Sequence, residues 1–86
     1  MGKMIIFHKN NCVQCKMTMK LLDGDKTPYE SINIDEQPDY AEMLKEEGYL
    51  RAPVVKVFSD DDELVDSWTG FSPDKVKKYI VKNRKV

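Results

Sequence analysis

Cys12-Val13-Gln14-Cys15 constrains this chain more than any other stretch, because it holds the only two cysteines among 86 residues. It follows a short apolar run, Met4-Ile5-Ile6-Phe7, and opens an amphipathic segment from about Val13 to Asp23-Gly24. The run has the length of a buried strand, and the segment has the period of a helix. A Cys-x-x-Cys pair at a strand-to-helix junction reads as a redox dithiol. Residues three apart on a helix share a face, with Cβ atoms roughly 5–6 Å apart. A disulfide needs about 3.5–4.5 Å, so a small adjustment in the first turn closes the bond. The unpaired N–H groups and macrodipole of a helix N-terminus also favour negative charge. Cys12, at or just before the first turn, is therefore placed where a thiol ionises below the free value of about 8.5. Cys15 lies deeper and stays a thiol until it attacks. This assigns Cys12 as the nucleophile and Cys15 as the resolving thiol.

Other uses of the pair fit less well. Structural zinc takes four protein ligands and catalytic zinc three, whereas His8 is the only histidine able to join the cysteines. A structural crosslink closing so short a loop removes little entropy from the unfolded chain. Hydrophobic content of 41% beside 34% charged residues describes a globular, water-soluble chain, and residues 1–86 make one domain without a linker. A net charge of −1 gives no global field for nucleic acid or an anionic membrane. No stretch approaches the roughly 20 apolar residues of a membrane span, and the N-terminal run is too short for an export signal. The expectation is a cytoplasmic monomer. A cysteine pair persisting in that compartment is more often catalytic than structural.

Taken in order, Lys3 to His8 form the first strand, continuously apolar at its centre as in a strand covered on both faces. Lys9-Asn10-Asn11 is a polar loop in which Asn11 can cap the helix. His8 and Lys9 are the nearest bases to the dithiol; they either assist Cys12 or simply face water. Helix one carries Cys15, Met19 and Leu22 on one stripe with Thr18 between them, and Met17 and Met19 read as core filler. Gly24 is the expected left-handed residue after the helix. Tyr29 to Asp35 make strand two, parallel to the first through a right-handed crossover. Pro38 opens helix two, which ends near Gly48. Strand three follows from Pro53, whose missing N–H suits the first strand position. The acidic turn Ser59-Asp60-Asp61-Asp62-Glu63 leads to strand four at Leu64 to Ser67; lacking the glycine and spaced ligands of a calcium loop, it is a solvated turn. Trp68-Thr69-Gly70-Phe71 sets two aromatics about a turn glycine. Either both rings fill the core, or one stays at the surface beside the dithiol. Ser72, Pro73 and Asp74 start helix three, which presents Val76, Tyr79 and Ile80 and ends in the basic run Lys82-Asn83-Arg84-Lys85.

The order βαβ-α-ββ-α makes an α/β chain with a four-stranded mixed sheet flanked by three helices. With Cys-x-x-Cys after the first strand and proline opening the third, it resembles the thioredoxin fold in its minimal, glutaredoxin-like form. Cys12-Val13-Gln14-Cys15, Ala52-Pro53-Val54-Val55 and Trp68-Thr69-Gly70-Phe71-Ser72-Pro73-Asp74 together resemble the NrdH-type redoxins over essentially the whole chain. The resemblance implies a cis-proline at Pro53 that faces the dithiol and offers the Ala52 backbone to an extended substrate segment. It further implies a contact rim of Val13, Gln14, Ala52, Trp68, Thr69, Gly70 and Phe71, and no metal. Electrons would come from NADPH through thioredoxin reductase, no cofactor would be bound beyond the reversible Cys12–Cys15 disulfide, and the target would be the large subunit of class Ib ribonucleotide reductase. Glutathione-using glutaredoxins commonly carry Pro-Tyr between the cysteines and a Gly-Gly turn. Here Val13-Gln14 and Thr69-Gly70 stand instead, and a bulkier turn obstructs a glutathione carboxylate.

The implied reaction is thiol–disulfide exchange through a mixed disulfide on Cys12, resolved by Cys15. Three rivals remain from the residues alone: a glutathione-dependent glutaredoxin, a module holding iron or zinc on Cys12 and Cys15, and a binding domain whose cysteines are incidental.

Overall fold

The computed structural model describes residues 3–80. Strand β1 (Lys3–His8) leads into helix α1 (Val13–Gly24) and strand β2 (Glu30–Asn33); helix α2 (Pro38–Glu46), strands β3 (Val54–Phe58) and β4 (Leu64–Thr69) and helix α3 (Pro73–Tyr79) follow. The sheet runs in the order β2-β1-β3-β4. Strands β1 and β2 are parallel, with Phe7 opposite Ile32, while β1–β3 and β3–β4 are antiparallel. This is the mixed four-stranded thioredoxin-like architecture expected from the element order.

Strand alternation divides the apolar residues between two faces. Met4, Ile6, Val55, Val57 and Trp68 meet Leu22 of α1 and Val76 of α3 on one side. Phe7 and Val54 meet Leu44 of α2 on the other. The central strands are thus covered twice, which explains why β1 and β3 lack a polar face. Lys56 is the exception. It is buried on the α2 side, where its ammonium pairs with Glu47 and lies 5.6 Å from the Phe7 ring and 5.5 Å from the Tyr49 ring. A cation leaving water needs such partners.

Several boundaries differ from the sequence reading. Asn11 does not cap α1; it adopts a left-handed φ of 56°, and Cys12 becomes the N-cap. Helix α1 continues through Gly24, so Lys26, at φ 57°, takes the left-handed position. The Lys26 and Thr27 amides then close on Asp23 and Leu22 carbonyls, each at 3.0 Å, and these bonds fix the stop two residues later than glycine suggests. Gly48, at φ 94°, does end α2 in that way. Strand β2 stops at Asn33 because β1 has finished: the Ile34 amide bonds the His8 carbonyl at 2.8 Å, the last rung available. Met17 is 41% exposed rather than core filler, because the buried stripe runs through Cys15, Thr18 and Leu22. Ser72 precedes α3 without a side-chain cap bond. Strand β4 continues past Ser67 to Thr69, taking Trp68 into the ladder opposite Val55. The basic run Lys82–Lys85 lies outside the described residues.

Candidate active site

The site is built where β1 ends and β3 begins, since Phe7 pairs with Val54 and brings the Lys9–Cys12 loop level with Pro53. The loop is fixed from the β2 side. The Asn10 amide donates to Asp35 Oδ2 at 2.8 Å, and Asn33 Nδ2 donates to Asn10 Oδ1 at 2.9 Å. The left-handed turn at Asn11 then delivers Cys12, in an extended conformation, to the first free amides of α1.

Cys12 and Cys15 form a disulfide with Cα atoms 5.2 Å apart. Cys12 Sγ accepts the Cys15 amide N–H at 3.2 Å, so sulfur occupies the capping place that an oxygen usually takes. On reduction, a thiolate at this atom keeps that donor and the favourable helix dipole. The two sulfurs differ in access. Cys12 is half-buried, whereas Cys15 is 1% exposed. An incoming disulfide can reach Cys12 directly; Cys15 is placed to meet Cys12. His8 is half-buried and borders, with Asn11 and Lys16, the shallow pocket that reaches Cys15, so it does not simply face bulk water. Lys9 is exposed.

The Ala52–Pro53 peptide is cis. Pro53 is buried and Ala52 is half-buried, immediately before the β3 ladder. The Pro53 carbonyl accepts the Gly70 amide N–H at 2.9 Å. Gly70 has φ 79°, a conformation suited to glycine, and turns the chain from β4 toward α3. The next amide, Phe71 N–H, donates to Gln14 Oε1 at 3.0 Å. Three segments distant in sequence are therefore tied together: the first turn of α1, the proline loop and the β4–α3 turn.

Of the residues expected at the rim, Gln14, Gly70 and Phe71 share this hydrogen-bonded group with Pro53. Val13 is 69% exposed in the first turn of α1, and Thr69 is half-buried at the end of β4. Phe71 is half-buried and lines a groove between α1 and α3 with Met17, Leu21, Val76 and Ile80. Trp68 requires a correction. At 8% exposed, it belongs to the core, not to the rim. Its place in β4 opposite Val55 points the ring under α3, where it stacks on Tyr79 with centroids 6.0 Å apart.

Sequence reasoning missed the polar staple beneath this turn. Asp66 of β4 accepts Tyr79 Oη at 2.7 Å and Lys75 Nζ at 3.2 and 3.3 Å. The Tyr79 hydrogen bond, with help from Lys75 and the Ser67 amide and against partial desolvation, holds the Asp66 carboxyl below its usual range. Burial and the same carboxylate push Tyr79 up to about 12. The one available signal was the i, i+4 placement of Lys75 and Tyr79 on α3, which does not reveal a partner in β4. Among the described residues no group of three or more His, Cys, Asp or Glu side chains is arranged to hold a metal ion, and no helix is long and apolar enough to cross a membrane.

Comparison with known proteins agrees with this geometry. The glutaredoxin family profile matches residues 4–64. The chain is 40% identical over 73 residues to the glutaredoxin-like protein NrdH of Lactococcus lactis, covering 85% of this chain and 93% of the relative. The solved structure of NrdH-redoxin from Escherichia coli superposes with a TM-score of 0.77 at 34% identity, covering 90% of this chain and 93% of that one. Thioredoxin f from spinach chloroplast, at 17% identity and a TM-score of 0.72, shares the fold over 98% of this chain and 77% of its own.

Proposed function

The chain belongs to the glutaredoxin family as an NrdH-type redoxin and is a thiol–disulfide oxidoreductase, and from that premise we propose that it carries electrons from thioredoxin reductase to protein disulfides. The observation that carries this reading is the unequal access of two bonded cysteines at a helix N-terminus: Cys12 half-buried, Cys15 1% exposed. In the reduced protein, Cys12 thiolate attacks one sulfur of a target disulfide, and the other target sulfur leaves with the electron pair. Cys15 then attacks Cys12 Sγ, re-forming the Cys12–Cys15 bond and releasing the second target sulfur as a thiolate. The target is reduced and the redoxin oxidised by two electrons, which NADPH restores through the flavin reductase.

The choice of a protein partner is supported by the surroundings of Cys12. Exposed Val13 and half-buried Phe71 offer apolar contact. The segment before Pro53 offers backbone to an extended chain, a short case of strand addition. The Escherichia coli relative is described as having a thioredoxin-like activity profile; we extend that profile to this chain and assign the class Ib ribonucleotide reductase large subunit as its target. The working form is a cytoplasmic monomer with no bound cofactor. Incubation of Cys12→Ser and Cys15→Ser variants with a disulfide-bearing target tests the roles. Cys15→Ser accumulates a covalent mixed disulfide and Cys12→Ser accumulates none; the reverse pattern overturns the assignment.

A further inference from the structure

Resolution by Cys15 moves a proton as well as electrons, because the thiol must lose its hydrogen before the sulfur attacks. Cys15 is 1% exposed, and burial disfavours a thiolate. An acceptor is therefore needed at its side, and few groups can serve. The buried Thr18 hydroxyl is spent on the Gln14 carbonyl at 2.9 Å. Lys9 and Lys16 are ammonium cations, which donate and cannot accept. Asp35 takes the Asn10 amide at 2.8 Å and does not line the pocket at Cys15. His8, the single histidine of the chain, is the group left. Strand alternation sets it on the face of β1 that carries Met4 and Ile6, the face that α1 covers. There it lines, with Cys15 and Met19, a shallow pocket open to solvent. Its neighbour across the parallel rung, Asn33, is engaged elsewhere: it donates to Asn10 and accepts the Asp35 amide, each at 2.9 Å. The half-buried His8 side chain has no hydrogen bond or ion pair among the described residues. The titratable groups around it are Cys15 and Lys16 of α1 and Lys9 of the loop, while β2 presents only the neutral Asn33.

We propose that His8 is the proton-transfer residue of the resolving cysteine, carrying the Cys15 proton between the buried sulfur and solvent. The inference rests on the dithiol-exchange reading and supplies the proton path which that reading requires. Imidazole suits the task because it gains and loses a proton near neutral pH. In the resolving step, neutral His8 accepts the Cys15 proton and the freed sulfur attacks Cys12 Sγ in the mixed disulfide. The Cys12–Cys15 bond forms, the bond from Cys12 to the target sulfur breaks, and the electron pair leaves on the target thiolate. The imidazolium then gives its proton to solvent through the pocket. When the oxidised protein is reduced, the same path runs backwards. An incoming thiolate attacks Cys12 Sγ, Cys15 leaves with the electron pair, and protonated His8 returns a hydrogen to it.

The test follows the reduced full chain mixed with the aromatic disulfide dithiobis-nitrobenzoate in stopped flow. Attack by Cys12 releases one coloured thiolate at a rate proportional to reagent, and attack by Cys15 releases the second at a rate independent of it. His8→Gln keeps a polar side chain of similar size without a titrating ring. It is expected to slow the second phase relative to the first by roughly 10²-fold near neutral pH, the usual size of general-base assistance. The pH profile separates proton transfer from structure. In the unsubstituted protein the second phase levels off near neutral pH, whereas in His8→Gln it goes on rising as the thiol ionises unaided, so the two converge in the alkaline range. Free imidazole restores second-phase rate to His8→Ala and leaves the unsubstituted protein unchanged. An unaltered second phase in His8→Gln overturns the proposal. So does a slowing by the same factor at every pH without rescue by imidazole, which would make His8 a structural prop for the loop. Release of only the first thiolate by the unsubstituted protein would instead overturn the exchange reading itself.

Discussion

Replacing Asp66 by Asn removes the charge that staples α3 to β4 while keeping the shape of the side chain. The carboxylate has Tyr79 Oη at 2.7 Å, Lys75 Nζ at 3.2 Å and the Ser67 amide at 2.8 Å. Its side chain is 15% exposed, against 43% for Lys75. A hydrogen bond to a charged acceptor is worth about 1.5–3 kcal/mol and a neutral one about 1, so the Tyr79 bond loses roughly 1 kcal/mol. The half-exposed Lys75 pair adds less than about 1 kcal/mol after screening. The variant should therefore be less stable by about 1–2 kcal/mol at pH 7, a fall in Tm of roughly 4–16 °C for a chain of this size. The pH dependence gives the sharper test. Asp66 ionises at lower pH when folded than its usual 3.8, so as the pH falls the unfolded chain takes up this proton first. Its contribution is complete above about pH 5 and is lost as the pH falls below about 4. Tyr79 is raised from 10.0 to about 12; its contribution is complete below pH 10 and is lost as the pH rises through about 12. Urea unfolding of both proteins from pH 2.5 to 7 measures the gap directly. A gap that is the same at pH 2.5 and pH 7 would refute the electrostatic reasoning and leave only packing.

Two further outcomes follow from burial. Leu22 is fully buried between α1 and the sheet, so Leu22→Ala should cost about 3 kcal/mol and lower Tm by roughly 12–24 °C; a loss under about 1 kcal/mol in chemical denaturation would contradict that placement. Trp68, the single tryptophan and 8% exposed, should resist iodide quenching in the folded protein and become quenchable in urea, whereas equal quenching in both states would return it to the rim.

The fold was legible because its local signals agree with its tertiary contacts. An apolar strand, a helix stripe through Cys15 and Leu22, Pro38 at a helix start and Pro53 before a strand each point to one architecture. The dithiol was legible because a Cys-x-x-Cys spacing at a helix start sets Cys12, at the N-cap, against Cys15 in the first turn. What escaped the sequence are features set by long-range register. Trp68 was ambiguous until its pairing with Val55 fixed the face on which its ring falls. Gln14 and Phe71 are 57 residues apart, and no spacing rule links them. Asp66 meets Tyr79 only because it projects, like Trp68 two residues on, from the face of β4 that α3 covers. The left-handed residue after α1, Lys26 instead of Gly24, shows the same limit locally: helix-ending hydrogen bonds, not glycine, chose the site.

The source of its electrons separates this redoxin from a glutathione-dependent glutaredoxin. The direct measurement is NADPH-dependent turnover of a protein disulfide, with thioredoxin reductase in one arm and glutathione plus glutathione reductase in the other. The expected result is sustained turnover with thioredoxin reductase, loss of that turnover in Cys12→Ser, and little activity with glutathione. Turnover driven mainly by glutathione would contradict it and identify the chain as a glutathione-dependent glutaredoxin.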